Sequence, residues 1–176
     1  MTDTRKEGPP DLAALAEMGL EMAAETMRRR GQLHPSQVYA VDGDQNLYVI
    51  DFKIEQSQVM KDISALALRK FLQERKVDRY VLVTEVWWKE VSVKAEQDRQ
   101  AIVDRIMERG VSEEPDRMEA IVAVGQDRQG TIEIIRPILR TDAGKFNGLG
   151  PAVDMGPGEG FNEGRFANML PRNALQ

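Results

Sequence analysis

Asp51 and Lys53 are the residues whose types and spacing best suit catalysis in this chain of 176 residues. They flank Phe52 near the end of a predicted strand. A carboxylate at such a position can bind a divalent cation that activates water, and a nearby lysine can stabilise the negative charge that develops on a phosphate. The site also needs a second carboxylate, for which Glu85 on a later predicted strand is a candidate. The pattern therefore predicts, as one alternative, a divalent-metal-dependent phosphodiesterase.

The order of strand, Asp-x-Lys, helix and strand resembles the core of PD-(D/E)xK nucleases. With the turn of the predicted hairpin at 43–45, however, Asp51 lies opposite residues 36–38, none of which is acidic. Asp42 then lies about 13–20 Å further along the strand, at ~3.3 Å per residue, which is too far for a shared ion. Glu21 and Glu25 on the first predicted helix remain further candidates for the second carboxylate. Alternation along a half-buried strand also explains Asp51 and Lys53 as solvent-facing residues.

Composition excludes several classes of function. The chain has 24 Lys and Arg against 29 Asp and Glu, so its net charge of -5 argues against general nucleic-acid binding. It has no cysteine and one histidine, which excludes thiol catalysis, disulfides and the usual zinc sites. We therefore expect neither a metal nor a cofactor. The sequence contains neither an apolar run of about 20 residues nor a signal peptide, so we expect a cytoplasmic protein without a membrane span.

The order of predicted elements indicates one domain over residues 11–141, preceded by a flexible leader over 1–10. A helix begins at Asp11 and ends at Gly31, and strands at 38–42 and 47–54 flank a turn. A helix over 57–76 follows, with Met60, Ile63, Leu66, Ala67 and Phe71 on its apolar side. A strand over 80–87, a helical crossover or flap over 95–109, and a hairpin over 119–138 come next. This order predicts a two-layer α+β domain, with a mainly antiparallel five-stranded sheet and helices on one face. Profilin-like, roadblock-like and PAS-like domains have a similar order of elements. A small-molecule sensor of PAS-like shape is therefore a further possible function, but a likeness of fold alone does not assign a function.

Arg28, Arg29 and Arg30 end the first predicted helix. Positive charge at this position complements the negative end of the helix dipole, which is the interpretation that we favour. Contact with a phosphate or with an acidic partner is the alternative.

Residues 142–176 differ in composition from the predicted domain. Residues 143–176 hold seven of the fourteen glycines and three of the five phenylalanines, without a sustained period. Alone, such a segment buries too little apolar surface to offset its ordering entropy, so we expect a tail that is disordered or becomes ordered on a partner. Adjacent strand residues face opposite ways, so one of Trp87 and Trp88 can lie in the core while the other is an exposed anchor, a role that we assign to Trp88. Burial of both by the sheet and the segment 95–109 is the alternative. The predicted partner-binding residues are Trp88, Phe146, Phe161, Phe166, Met169 and Leu170.

Two segments carry a further resemblance. The third predicted strand ends in Val83-Thr84-Glu85-Val86-Trp87, and a later segment reads Asp116-Arg117-Met118-Glu119-Ala120-Ile121. They resemble a group of uncharacterised bacterial and bacteriophage proteins, in which a strand ends in Ser-Glu-Ala-Trp and Asp-x-Arg-x-Glu precedes a hairpin. The resemblance covers roughly residues 60–140 and implies no activity. It marks four positions: Glu85, Trp87, Arg117 and Glu119. A structural role is available for them, in which Arg117 pairs with Glu85 or Glu119 and stacks on Trp87.

The sequence as a whole favours a non-catalytic protein-binding or assembly module. Its C-terminal tail would dock on a partner chain, which is either another protein or a second copy of this chain. The phosphodiesterase that uses Asp51, Lys53 and Glu85 is the alternative.

Overall fold

A computed structural model describes residues 10–54, 57–88, 96–113, 116–153 and 169–170. Six strands within these ranges form one antiparallel sheet in the order β2-β1-β3-β4-β5-β6. The predicted α+β class and antiparallel sheet are therefore confirmed, with six strands where five were predicted. The elements in chain order are α1 (Leu12–Arg30), β1 (Ser36–Asp42), β2 (Leu47–Phe52), α2 (Gln58–Glu74), β3 (Val77–Trp88), α3 (Glu96–Arg109), a 3-10 helix (Val111–Glu113), β4 (Met118–Gln126), β5 (Thr131–Arg140) and β6 (Phe146–Leu149).

The helices α1 and α2 pack on opposite faces of the sheet, whereas the sequence predicted helices on one face. Tyr39 and Val81 belong to the core beneath α1, and their neighbours Ala40 and Tyr80 belong to the core beneath α2. Successive side chains of a strand point to opposite faces, so the central strands β1 and β3 must be apolar on both. The apolar run 38–41 on β1 is completely buried for this reason. The prediction of one covered face followed the clear alternation of β2, which lies at the edge of the sheet.

Helix α1 begins and ends where the sequence predicts. The Asp11 side chain caps the helix by accepting a hydrogen bond of 2.8 Å from the backbone N–H of Ala14. Gly31 ends it with a positive φ of 77°, a conformation that glycine adopts without steric cost. Within the helix, a Cβ atom at Gly19 would lie 2.7 Å from Cγ2 of Val83, so this glycine allows close contact with the sheet.

Asp42 organises the predicted turn between β1 and β2. Its carboxylate accepts hydrogen bonds from the backbone N–H groups of Asp44 and Asn46, from the Asn46 amide and from the Tyr48 hydroxyl, at 2.8–3.0 Å. These bonds, of which that from the Asn46 side chain has the largest effect, lower the pKa of Asp42 to about 2. The carboxylate is therefore ionised at neutral pH, and its hydrogen bonds stabilise the turn.

The sheet continues past the domain boundary that was predicted after residue 141. Strand β6 pairs with β5, and the N–H of Val153 donates to the carbonyl of Ile135 at 2.8 Å. Met169 and Leu170 are buried beside Tyr80 in the core beneath α2. The sequence of the tail contains too few apolar residues to order itself, but β3, β4 and β5 supply the apolar surface and hydrogen-bond partners that it lacks.

None of the helices in the described part of the chain is long and apolar enough to cross a membrane.

Candidate functional site

Asp51 lies on β2 opposite Gln37, as the predicted hairpin register requires. The Gln37 amide donates to the Asp51 carboxylate over 3.4 Å, and the Tyr39 hydroxyl donates to the Gln37 carbonyl oxygen over 2.8 Å. Burial and then the negative charge of Asp51 raise the pKa of Tyr39 to about 12, so its hydroxyl remains a donor. Asp51 and Lys53 are both exposed. The hydrogen bonds thus run from the buried Tyr39 through Gln37 to the exposed Asp51.

Glu85, the predicted second carboxylate, does not share a site with Asp51. Gln37 lies between Asp51 and Val83 in the sheet, so Glu85 is two strands away from Asp51 and two residues further along. This offset corresponds to about 10 Å across the strands and about 7 Å along them, too far for one ion to contact both carboxylates. The Glu85 carboxylate instead accepts a hydrogen bond of 3.0 Å from the backbone N–H of Leu33. No group of three His, Asp or Glu side chains within the described ranges has the geometry of a metal site.

The residues marked by the sequence resemblance lie together where β3 ends and β4 begins. The Arg117 guanidinium lies 4.7 Å from the centre of the Trp87 ring, which confirms the predicted stacking. Glu119 forms an ion pair with Arg140 of β5. These contacts tie neighbouring strands together.

The predicted partner-binding residues are distributed between the core and the surface. Trp88 is half-buried and packs against the cluster of Ala120 and Val122, whereas Trp87 is the more exposed of the two, at 45%. The exposed position at the end of β3 is therefore that of Trp87, on the opposite face of the strand from Trp88. Partner binding by Trp88 stays a prediction.

Three of the predicted tail residues pack within the chain's own fold. Phe146 lies on β6 and packs against the core beneath α1, while Met169 and Leu170 are buried beneath α2. The apolar surface of Met169 and Leu170 is therefore covered by their own chain, whereas Phe146 is only partly buried. Phe161 and Phe166 lie outside the described residues.

An apolar surface on α2 was assigned to the core by the sequence analysis but faces solvent. Sequence periodicity predicts that Met60, Ile63, Leu66, Ala67 and Phe71 line the buried side of this helix. In the structure the buried side consists of Ala65, Leu68 and Leu72, with Phe71 partly buried. We define the outer face of α2 as four exposed residues: Val59 (68%), Met60 (41%), Ile63 (50%) and Leu66 (62%).

The two apolar sides of α2 point in nearly opposite directions. At 100° per residue, Val59, Ile63 and Leu66 are centred roughly 150° around the helix from the buried residues. Both sets have the three- and four-residue spacing of an amphipathic stripe, so periodicity alone cannot decide which one meets the sheet. A surface helix of an isolated domain normally has one apolar and one polar side. The presence of two apolar stripes on one helix is therefore the sequence signal that one of them faces solvent.

Comparisons of the chain with protein-family models, with curated proteins and with solved structures found no match. The similarity to a group of bacterial and bacteriophage proteins therefore remains a resemblance of two short segments.

Proposed function

We propose that the protein is a non-catalytic protein-binding or assembly module, and that the outer face of α2 contacts the partner chain. The observation that carries this proposal is the second apolar side of α2, whose four large side chains are 41–68% exposed. Apolar residues at i, i+4 and i+7 are the pattern by which a helix packs against an apolar groove or against another helix. The partner is accordingly a protein surface with complementary apolar residues.

The size of this surface sets the strength of the expected contact. Complete burial of four side chains that are about half exposed contributes on the order of 4–5 kcal/mol, before the cost of association is subtracted. This free energy is small for a stable complex, so the outer face of α2 serves either a transient interaction or the apolar centre of a larger interface.

Docking of the C-terminal tail remains a separate part of the proposal. Met169 and Leu170 are excluded from it because they are buried in the core. A chain ending at Asp142 would lose these residues together with β6, so it would test folding as well as binding. Substitution of Phe161 and Phe166 in the full chain is the appropriate test of the tail.

The outer face is tested by the double substitution Ile63→Asp and Leu66→Asp in the full chain. Both side chains are at least half exposed, so the variant should keep the stability of the parent. Met22→Asp is the matched control, because Met22 is also an exposed apolar residue (48%) but lies on α1, across the sheet. Sedimentation measures self-association, and capture from native lysate followed by titration of the purified partner measures association with another protein.

We expect the double substitution to weaken association at least about tenfold, which corresponds to 1.4 kcal/mol, while Met22→Asp leaves it unchanged. The proposal fails if two results are obtained together. The parent shows no self-association at about 0.1 mM, and it binds no purified partner more tightly than the double variant does. It also fails if both substitutions weaken binding equally, since the contact would then not involve α2 specifically.

A further inference from the structure

A cavity of about 440 Å³ lies where the end of α1 meets the turn between β5 and β6. Arg140 joins the two elements, because its Nη1 donates to the carbonyl oxygen of Gly31 over 3.4 Å and to that of Gly144 over 3.3 Å. Gly31 and Gly144 both line the cavity, and no heavy atom lies within 4 Å of where a Cβ would be on either residue. The volume is in the range of small-molecule sites.

The lining of this cavity is strongly cationic, although the chain as a whole carries a net charge of -5. Arg28, Arg30, Arg140 and Lys145 line it, and its lining includes no acidic residue from the ranges that the structure describes. Arg28 is paired with Glu25 and Arg140 with Glu119, whereas Arg30 forms no ion pair within the described part of the chain, and neither does Lys145. Two cations therefore face the cavity without a neutralising partner among the described residues.

The helix dipole does not explain this cluster. It accounts for cationic residues in the last turn of α1, where they face the carbonyl end of the helix. Arg140 and Lys145 come from the end of β5 and from the following turn, so their position follows from the tertiary structure. The carbonyl oxygen of Gly31, which would otherwise repel an anion, accepts a hydrogen bond from Arg140.

The floor of the cavity is apolar. Met27 is completely buried and Phe146 is partly buried, and both lie among the cationic side chains. Guanidinium groups bind phosphate oxygens in a fixed geometry, and an aromatic ring offers a surface for a flat group. We propose that this cavity binds the phosphate group of a small phosphorylated molecule through Arg28, Arg30, Arg140 and Lys145, with the organic part of the molecule against Phe146. This site is independent of the proposed protein-binding surface, which lies on α2 across the sheet.

The test is calorimetric titration of the full chain with ATP, inorganic pyrophosphate, adenosine and a short single-stranded oligonucleotide at one ionic strength. The informative variant is Arg30→Gln with Lys145→Gln, which removes both unpaired cations. The control variant is Arg29→Gln with Lys70→Gln, which changes the net charge equally outside the cavity, at residues that are 75% and 76% exposed. The thermal unfolding midpoint without ligand shows whether each variant is folded.

We expect ATP and pyrophosphate to bind saturably and adenosine not to bind. The cavity variant should weaken both at least about tenfold, and the control variant by less than about twofold. Tighter binding of ATP than of pyrophosphate identifies a phosphate ester that uses the apolar floor, and equal binding identifies a free polyphosphate. The proposal is overturned if neither phosphate compound binds saturably, if both variants lose affinity equally, or if an oligonucleotide binds far more tightly than ATP does.

Discussion

Met169 and Leu170 are expected to stabilise the whole domain, although they lie far along the glycine-rich C-terminal segment. Met169 is 1% exposed and Leu170 is 7% exposed, and both pack in the core beneath α2. The backbone of Leu170 is also held by the side chain of Gln126, which accepts its N–H at 2.9 Å and donates to its carbonyl at 3.4 Å. The Gln126 amide thus makes the pair of hydrogen bonds that a neighbouring strand would make.

The expected magnitude follows from the burial of these side chains. Leu170→Ala removes three carbon atoms, and at about 0.8 kcal/mol each the loss is about 2.4 kcal/mol before the cavity contributes. With the cavity, we expect Met169→Ala and Leu170→Ala each to lower the free energy of unfolding by about 2–5 kcal/mol. A domain of this kind has only about 5–15 kcal/mol of stability, so either change is large.

Urea denaturation followed by circular dichroism measures this loss directly. Leu139→Ala is the matched control, because Leu139 is 46% exposed, and it should change stability by about 0.5 kcal/mol or less. Met169→Leu, which nearly conserves volume, should recover most of the stability lost in Met169→Ala. If Met169→Ala and Leu170→Ala both unfold within about 0.5 kcal/mol of the parent, the reasoning that places these residues in the core is refuted.

Three further predictions concern the turn, the sheet and its exposed end. Because its hydrogen bonds lower the pKa of Asp42 to about 2 from 3.8, its contribution to stability is complete above pH 3.8 and is lost as the pH falls towards 2. The stability difference between the parent and Asp42→Ala, measured by urea denaturation from pH 6 to pH 2, should therefore shrink in that window; a constant difference would contradict this. Gly125→Ala should destabilise by about 1–3 kcal/mol or more, because its Cβ would lie 2.7 Å from the backbone oxygen of Tyr80, and unchanged thermal unfolding would exclude this close contact. Arg117→Ala should lower stability by about 0.5–1 kcal/mol and alter the fluorescence of Trp87, whose ring it covers; an unaltered emission spectrum would show that the stacking is absent in solution.

The local features of the chain could be predicted from sequence because residues close in sequence determine them. Asp11 and Gly31 bound α1 through a side-chain cap and a left-handed backbone conformation, which require no distant contact. The turn after β1 and the position of Asp51 opposite Gln37 follow from hairpin geometry in the same way. These signals, repeated along the chain, were also sufficient for the α+β class.

Other features were decided only by the tertiary structure, because each depends on which surfaces compete for burial. Helix α2 has two apolar stripes with helical spacing, and only the contact of Leu68 and Leu72 with the sheet determines that Ile63 and Leu66 face solvent. The C-terminal segment lacks a periodic pattern, yet Leu170 is ordered by an amide side chain that is 44 residues away in sequence. The cationic cavity likewise combines the end of α1 with a turn that follows β5. Periodicity shows the spacing of apolar and charged residues along the chain. Which residues contact one another depends on the three-dimensional packing, which buries apolar surface and pairs polar groups.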